Sequence, residues 1–289
     1  MFKILFATCI LVFSLYANNS EEPVTKESTQ DVPTDVLYEK IENLIGTKEF
    51  NTHKNLVDLL FRNKQNYYAN EHLNYIPILK QLKENGLLKL RLKQPKEITV
   101  EFLTNADPIK SLKILNDTLK SLGYYYYFTK KTLYDGEGNL VWTIRLKTSY
   151  AIDPFILSKE LARHEVRVID ITRAENDAWQ YSINTAYANI DDAIFIDTNE
   201  KVILRKPLKP YFIKINEAKT LKIISRTLNN WYPHVVFYDK HLNVLKIVKK
   251  DRMFKGLTIS IPETSRYIKV TDLYTLINIK RGLSIITKE

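Results

Sequence analysis

The residue types that perform catalysis or bind metals occur in this sequence without a recognised spacing. The five histidines are His53, His72, His164, His234 and His241. His164-Glu165 is followed by Val166-Arg167, so the zinc-protease spacing H-E-x-x-H is absent, as are G-x-S-x-G, Walker and G-x-G-x-x-G sequences. We therefore predict a protein that is not an enzyme and has no catalytic residues, cofactor or metal site. An enzyme whose Asp, Glu and Tyr residues converge only in the fold is the alternative.

Oxygen-bearing side chains alternate in one loop, at Asp135, Glu137 and Asn139. This spacing can present oxygen ligands to calcium, but the downstream bidentate glutamate of an EF-hand is missing. Because the loop separates two predicted strands and Gly and Asn favour tight turns, we predict a hairpin turn. The adjacent carboxylates Asp191-Asp192 are interpreted as solvated loop residues or a helix start.

Aromatic residues are the best candidates for binding a ligand or partner. Trp231 and Tyr232 lie in the segment WYPH, and Tyr125 and Tyr127 lie in YYYYF. Exposed flat rings bind sugars and peptides because they stack with little loss of side-chain entropy. The alternative is that these rings pack in the core. Lone tryptophans are mostly buried, and one face of a sheet is usually buried as well. Trp231, Tyr232, Tyr125 and Tyr127 are the predicted ligand-binding or partner-binding residues.

The tyrosine run lies in a stretch that reads strand, helix, strand, strand, helix, strand. Ile98, Val100 and Phe102 alternate with polar residues, which predicts a strand with one buried face. Asp107-Pro108 and Asp153-Pro154 each place an N-cap residue before a proline at the first helical position. The strands are predicted at 98–102, 124–128, 140–147 and 166–173, and Trp179 to Ile183 could add another. This order predicts a split β-α-β domain over residues 98–185.

The order resembles the SPOR domain of bacterial cell-wall proteins, a small fold that grips the glycan strands of peptidoglycan. The resemblance covers roughly a quarter of the chain and is one of pattern. SPOR domains carry a Gln-x-Gly type signature in the first strand, where this chain has Val100-Glu101-Phe102-Leu103-Thr104. The glycine is absent and Glu101 places a carboxylate there. The resemblance implies a split β-α-β fold, and it implies peptidoglycan as an alternative ligand.

The segments before and after this domain differ in periodicity. Residues 35–97 show short amphipathic helices, and residues 186–289 show short strands at regular spacing, which predicts an antiparallel β-sandwich. The nine predicted strands are Ala193–Asp197, Val202–Arg205, Tyr211–Ile215, Leu221–Ser225, Val235–Tyr238, Val244–Val248, Leu257–Ile261, Tyr267–Val270 and Tyr274–Ile279. The runs VVFYDKHLNVLKIV and SRYIKVTDLYTLINI resemble the jelly-roll modules of secreted bacterial proteins, including the pre-peptidase C-terminal type.

The first 34 residues are predicted to lie outside the folded domains. Lys3, the apolar run Ile4 to Leu15 and the small residue Ala17 indicate a secretory signal peptide over residues 1–17. Residues 18–34 are polar and indicate a flexible linker. No later apolar run approaches the length of about 20 residues that a membrane span needs, so no stable membrane insertion is predicted. The single cysteine, Cys9, lies in the signal, which leaves the exported chain without disulfides and favours a Gram-negative periplasm.

The net charge of +10 has two interpretations: an anionic partner, or the codon usage of an AT-rich genome. Lysine outnumbers arginine by 32 to 11, and arginine is the residue that contacts phosphate bidentately, so nucleic acid is not a predicted partner. We predict an α+β, non-catalytic periplasmic scaffold or adaptor in a bacterial cell-envelope assembly, for example an accessory component of the flagellar motor. Its predicted partners are envelope or motor proteins. A protein that binds peptidoglycan or other carbohydrate is the alternative.

Overall fold

Six helices and four mostly antiparallel sheets make up the residues described by a computed structural model, which are 35–190 and 193–289. The predicted α+β class is therefore confirmed. The predicted signal peptide, the linker and the Asp191-Asp192 pair lie outside the described residues. Val36–Glu289 forms one compact unit. Within the described ranges, no helix combines the length and apolar character needed to cross a bilayer.

Short helices and a small hairpin form the first part of this unit. They are α1 (Val36–Ile45), α2 (Thr47–Thr52), α3 (Lys54–Leu60), β1 (Tyr68–Ala69), β2 (His72–Leu73) and α4 (Tyr75–Glu84). Helix α1 forms on an apolar face in which Leu37, Ile41 and Leu44 are buried at helical spacing. The predicted helices are present, but the first long strand begins at Arg91, seven residues before the predicted Ile98.

The central sheet follows, with two helices inserted between its strands. Its elements are β3 (Arg91–Thr104), α5 (Pro108–Ser121), β4 (Phe128–Tyr134), β5 (Leu140–Tyr150), α6 (Pro154–Arg163), β6 (Arg167–Arg173) and β7 (Trp179–Asn184). The strand order is β4-β5-β3-β7-β6, and only the β3–β7 pair of this sheet is parallel. In a split β-α-β sheet the fourth strand, here β6, would pair with the first strand, here β3. In this protein β7 pairs with β3 instead, and β6 lies at the edge of the sheet beyond β7.

The core of this region lies on one face of the central sheet. Phe102 stacks between Trp142 and Tyr181, with ring centroids 5.7 and 5.6 Å away. Helix α5 contributes Leu115 and helix α6 contributes Leu161 to the same buried cluster. The opposite face carries residues such as Thr99 and Glu101, which are half-buried. The alternation predicted from the sequence of β3 therefore separates a buried apolar face from a polar one.

The remaining strands form two sheets that share a second core, here called the sheet pair. They are β8 (Ile194–Ile196), β9 (Lys201–Ile203), β10 (Tyr211–Ile215), β11 (Thr220–Ser225), β12 (Pro233–Tyr238), β13 (Val244–Lys249), β14 (Gly256–Ser260), β15 (Tyr267–Asp272) and β16 (Leu283–Lys288). The orders are β13-β12-β15-β10-β8 and β14-β11-β16-β9. Ile213 and Phe237 of the first sheet and Ile223 and Ile285 of the second belong to one buried cluster.

The ninth predicted strand, Tyr274–Ile279, was wrong. The carboxylate of Asp272 accepts hydrogen bonds from the N–H groups of Tyr274 (2.9 Å) and Thr275 (3.0 Å), and a 3₁₀ turn follows. Such side-chain acceptors favour a turn over a strand. The strand comes after Gly282, whose φ of +83° and close approach to the carbonyl of Leu204 leave no space for a Cβ.

The two predicted N-caps behave differently. Asp153 caps α6 by accepting hydrogen bonds from the N–H groups of Phe155 (3.0 Å) and Ile156 (3.1 Å). Asp107 has a left-handed φ of +43° and makes no capping hydrogen bond. Its carboxylate instead contacts Nδ1 of His241, in the loop between β12 and β13. Asp107 thus occupies the predicted N-cap position without capping α5 through its side chain, and its carboxylate joins α5 to the sheet pair.

Candidate functional site

Strand β4 is an edge of the central sheet, and all seven of its residues are exposed. Phe128 is 73% exposed and Leu133 is 51% exposed, on the face opposite the core. We call the exposed aromatic and aliphatic residues of this strand and the preceding segment the aromatic edge: Tyr125, Tyr126, Phe128, Leu133 and Tyr134. An edge strand presents unpaired N–H and C=O groups along its outer side, where another chain can pair.

The segment before β4 is not the strand predicted at Tyr124 to Phe128. Helix α5 ends near Gly123, which has a φ of +88°, and the N–H of Tyr124 donates to the carbonyl of Leu119 (2.8 Å). This bonding satisfies the last carbonyls of the helix and turns the chain, so the strand begins only at Phe128. The sequence could not reveal this difference, because aromatic residues favour strands in isolation.

The four tyrosines of this segment divide into two that pack and two that face solvent. The hydroxyl of Tyr127 donates to Asn116 of α5, and its ring meets that of Trp142 edge-on at 5.8 Å. Burial, with the nearby charge of Asp117, raises the pKa of Tyr127, so this hydroxyl stays a donor. Tyr125 is 65% exposed and Tyr126 is 93% exposed. Of the two predicted binding tyrosines, Tyr125 is accessible and Tyr127 mainly packs.

Positive charge accompanies the aromatic edge. Lys130 and Lys131 are exposed on β4 beside a register shift. On the same face, Glu101 accepts hydrogen bonds from Oγ1 of Thr143 (2.7 Å) and Nε2 of Gln180 (2.8 Å). Burial alone would raise the pKa of Glu101, but these hydrogen bonds and the two lysines lower it. The carboxylate of Glu101 is thus an ionised group whose hydrogen bonds come from its own sheet.

Trp231 and Tyr232 lie in the sheet pair and not on the aromatic edge. Trp231 has 0% exposure, and its Nε1–H donates to the carbonyl of Thr271 (3.0 Å). Tyr232 is half-buried, with its ring edge-on to Tyr274 at 5.0 Å. In this conformation the Trp231 ring packs in the core and does not face a ligand.

The loop from Asp135 to Asn139 is the predicted hairpin turn. The carboxylate of Asp135 accepts hydrogen bonds from the Asn139 side chain (2.5 Å) and from the N–H groups of Glu137 (2.8 Å) and Asn139 (3.0 Å), and these lower the pKa of Asp135. Asp239 makes the same arrangement with His241 and Asn243 between β12 and β13. Among the described residues, no group of three or more His, Cys, Asp or Glu side chains is placed to hold a metal.

Sequence reasoning identified Tyr125 but missed most of the aromatic edge. The missed residues are Tyr126, Phe128, Leu133 and Tyr134, with Lys130 and Lys131. One signal was present in the sequence: lysines in the middle of a strand are common on sheet edges, where they oppose unwanted pairing.

No protein-family model matches the sequence, and no curated protein is similar to it. The resemblances to SPOR and pre-peptidase C-terminal domains therefore stay predictions. The function has to be argued from the geometry and chemistry of the site.

Proposed function

We propose that this protein is a non-catalytic scaffold or adaptor of a bacterial cell-envelope assembly, such as a flagellar-motor accessory component, and that it acts in the periplasm. The observation that carries the proposal is the aromatic edge, which lies on and just before β4, a seven-residue edge strand exposed over its whole length. The predicted signal peptide at residues 1–17 supports export. The proposed finer architecture, a SPOR-like sheet followed by a jelly-roll-like sandwich, rests on the element order and on the shared core of the sheet pair.

The partner would bind by adding a strand to β4. Main-chain hydrogen bonds to an exposed edge supply affinity, while side chains alternating along the strand supply specificity. Phe128 and Leu133 lie on one face of β4, so side chains on the same face of a pairing strand would pack beside both. Fully burying each side chain would contribute about 1.5 to 3 kcal/mol before the entropy of association is subtracted.

The charge of the edge selects the kind of partner. Lys130 and Lys131 would repel a basic strand and attract an acidic one, and electrostatic complementarity gives specificity as much as affinity. The proposed occupant is therefore an extended, acidic segment of an envelope or motor protein. Lys130 and Lys131 would also oppose indiscriminate pairing along this exposed edge.

Capture from crosslinked periplasm tests the proposal, with two matched double variants. Phe128→Ser with Leu133→Ser alters the aromatic edge, whereas Val244→Ser with Ile247→Ser alters β13, an exposed edge of the sheet pair. The expected result is one partner that is lost with the first variant and retained with the second. Lys130→Glu with Lys131→Glu should also reduce its capture. Equal capture by wild type and all variants, or a chain found outside the periplasm, would contradict the proposal.

The exposed rings of Tyr125 and Tyr126 favour a second candidate, a protein that binds peptidoglycan. Flat exposed rings can stack on sugar units. Co-sedimentation with purified peptidoglycan at low salt, where electrostatic attraction is strongest, distinguishes the two candidates. Sedimentation that Tyr125→Ala with Tyr126→Ala abolishes would favour the glycan, and no sedimentation would remove it.

A further inference from the structure

A cleft of about 500 Å³ lies between α5 and the first sheet of the sheet pair. We call it the basic cleft and define it by Lys113, Lys120, Lys209, Phe212, Tyr238 and Lys269. The α5 residues that line it are spaced four, four and three apart, which places them on one face of the helix: Ile109, Lys113, Asp117 and Lys120. The cleft is distinct from the aromatic edge, and the inference below does not depend on the proposed function.

Positive charge predominates in the basic cleft. Its lining contains four lysines and one carboxylate, Asp117, whose Oδ2 lies 2.5 Å from Nζ of Lys113. Because the lysines of the cleft outnumber its carboxylate, their summed charge would attract a bound anion.

Aromatic side chains form the apolar wall of the basic cleft. Phe212 stacks on Tyr267 with centroids 5.4 Å apart and lies tilted against Tyr238 at 6.1 Å. Nζ of Lys113 sits 5.0 Å from the centroid of the Phe212 ring. A ligand in this cleft would therefore contact both lysine ammonium groups and fixed aromatic rings.

We infer that the basic cleft binds an amphipathic anion: a carboxylate, sulfonate or phosphate group carried on an apolar or planar body. Lysine ammonium groups act as point charges without the fixed fork of arginine, so they accept any of these oxyanions. The apolar body would lie against Phe212 and Tyr238. Such an anion could be a soluble molecule or the headgroup region of an anionic lipid, and the chemistry that the cleft recognises is the same in both cases.

Titration of the full-length exported chain with 8-anilinonaphthalene-1-sulfonate, a planar anion, tests the inference. The expected result is one saturable site whose affinity falls as salt is raised. The matched neutral probe, N-phenyl-1-naphthylamine, should bind at least about tenfold more weakly, a difference that isothermal titration calorimetry resolves readily. Vesicles of phosphatidylglycerol, compared with phosphatidylcholine, identify the source: binding to the former indicates a lipid, and binding to the soluble probe alone indicates a soluble ligand.

Charge reversal locates the site. Lys120→Glu with Lys269→Glu should weaken binding of the sulfonate about tenfold or more, because two attractive charges become repulsive. Lys222→Glu with Lys249→Glu makes the same charge change on exposed strand positions outside the cleft and should leave the affinity within about twofold. If circular dichroism shows that the reversed protein is unfolded, Lys120→Gln with Lys269→Gln replaces it. No saturable binding, equal loss in cleft and control variants, or equal affinity for the neutral probe would overturn the inference.

Discussion

The two edges of the central sheet differ in how their backbone is covered. At β6, the side-chain amide of Asn43 on α1 donates to the carbonyl of Arg173 (3.2 Å) and accepts from its N–H (2.9 Å), as a neighbouring strand would. At β4, no side chain of the described residues bonds the outer backbone edge in this way. Among the described residues, helix α1 thus covers the β6 edge at Arg173, so we call it the closed edge, whereas the β4 edge has no such cover and is the open edge, where we propose that a partner pairs.

Charge reinforces the closed edge. Asp170 of β6 accepts hydrogen bonds from Nζ of Lys40 (2.8 Å) and from the hydroxyl of Tyr75. Burial alone would raise the pKa of Asp170, but these two donors outweigh it and hold the pKa below the ordinary range of an aspartate. Burial and the negative charge raise the pKa of Tyr75, so its hydroxyl stays protonated. Tertiary contacts, and not strand sequence, distinguish the two edges.

The largest expected effect lies at the closed edge. Asp170→Ala removes an ionised acceptor from Lys40 and Tyr75, and should lower the free energy of unfolding by about 2 to 3 kcal/mol. Urea unfolding at neutral pH measures it. A loss below about 0.5 kcal/mol, the range of ordinary surface substitutions, would mean that these contacts do not hold the edge.

The same contact predicts a pH dependence. The folded pKa of Asp170 lies below its ordinary value in the unfolded chain, so its stabilisation is fully present above that ordinary value and is lost as the pH falls through the folded pKa. The difference in unfolding free energy between wild type and Asp170→Asn should therefore be constant near neutral pH and shrink below about pH 4. If the difference in unfolding free energy instead grows as the pH falls, the pKa of Asp170 is not lowered by folding.

The turn that joins β4 to β5 should contribute less. Asp135→Ala removes acceptors for the N–H groups of Glu137 and Asn139, and should destabilise the protein by less than Asp170→Ala because the turn is fully exposed. Asp239→Ala, in the equivalent turn of the sheet pair, is the control. Only Asp135→Ala should also weaken partner capture, because only that turn holds the aromatic edge. If partner capture falls equally in both variants, binding does not depend specifically on the aromatic edge.

The smallest expected effect on stability lies on the open edge. Phe128→Ser with Leu133→Ser should change the free energy of unfolding by no more than about 0.5 kcal/mol per site, since both side chains are exposed. Partner capture should nevertheless be lost. A large loss of stability would indicate that these side chains pack on the fold, and the edge would then not be open.

Local signals in the sequence predicted much of the fold. The alternation of Val100 and Phe102 predicted the buried face of β3, and Asp153-Pro154 predicted the start of α6. Asp107-Pro108 carried the same local signal, yet Asp107 bonds to His241, 134 residues further along the chain. The residues that neighbour Asp107 in the sequence therefore could not predict its contact with His241.

The candidate site was only partly predictable for the same reason. The sequence indicated aromatic binding residues but could not tell the exposed Tyr126 from the buried Trp231, because burial depends on contacts with distant parts of the chain. Trp231 is buried in the sheet pair, where its Nε1–H donates to the carbonyl of Thr271, 40 residues further along the chain. Tyr126 lies in the segment before β4, an edge strand of the central sheet, and stays exposed.

Site-specific photocrosslinking tests the central claim most directly. A benzophenone amino acid would replace Tyr126 on the aromatic edge or, as a control, Tyr187, which is 81% exposed in the loop after β7. We predict that position 126 crosslinks in cells to an acidic segment of the partner captured from the periplasm, and that position 187 does not. Crosslinks to that partner from position 187 and none from position 126 would contradict it.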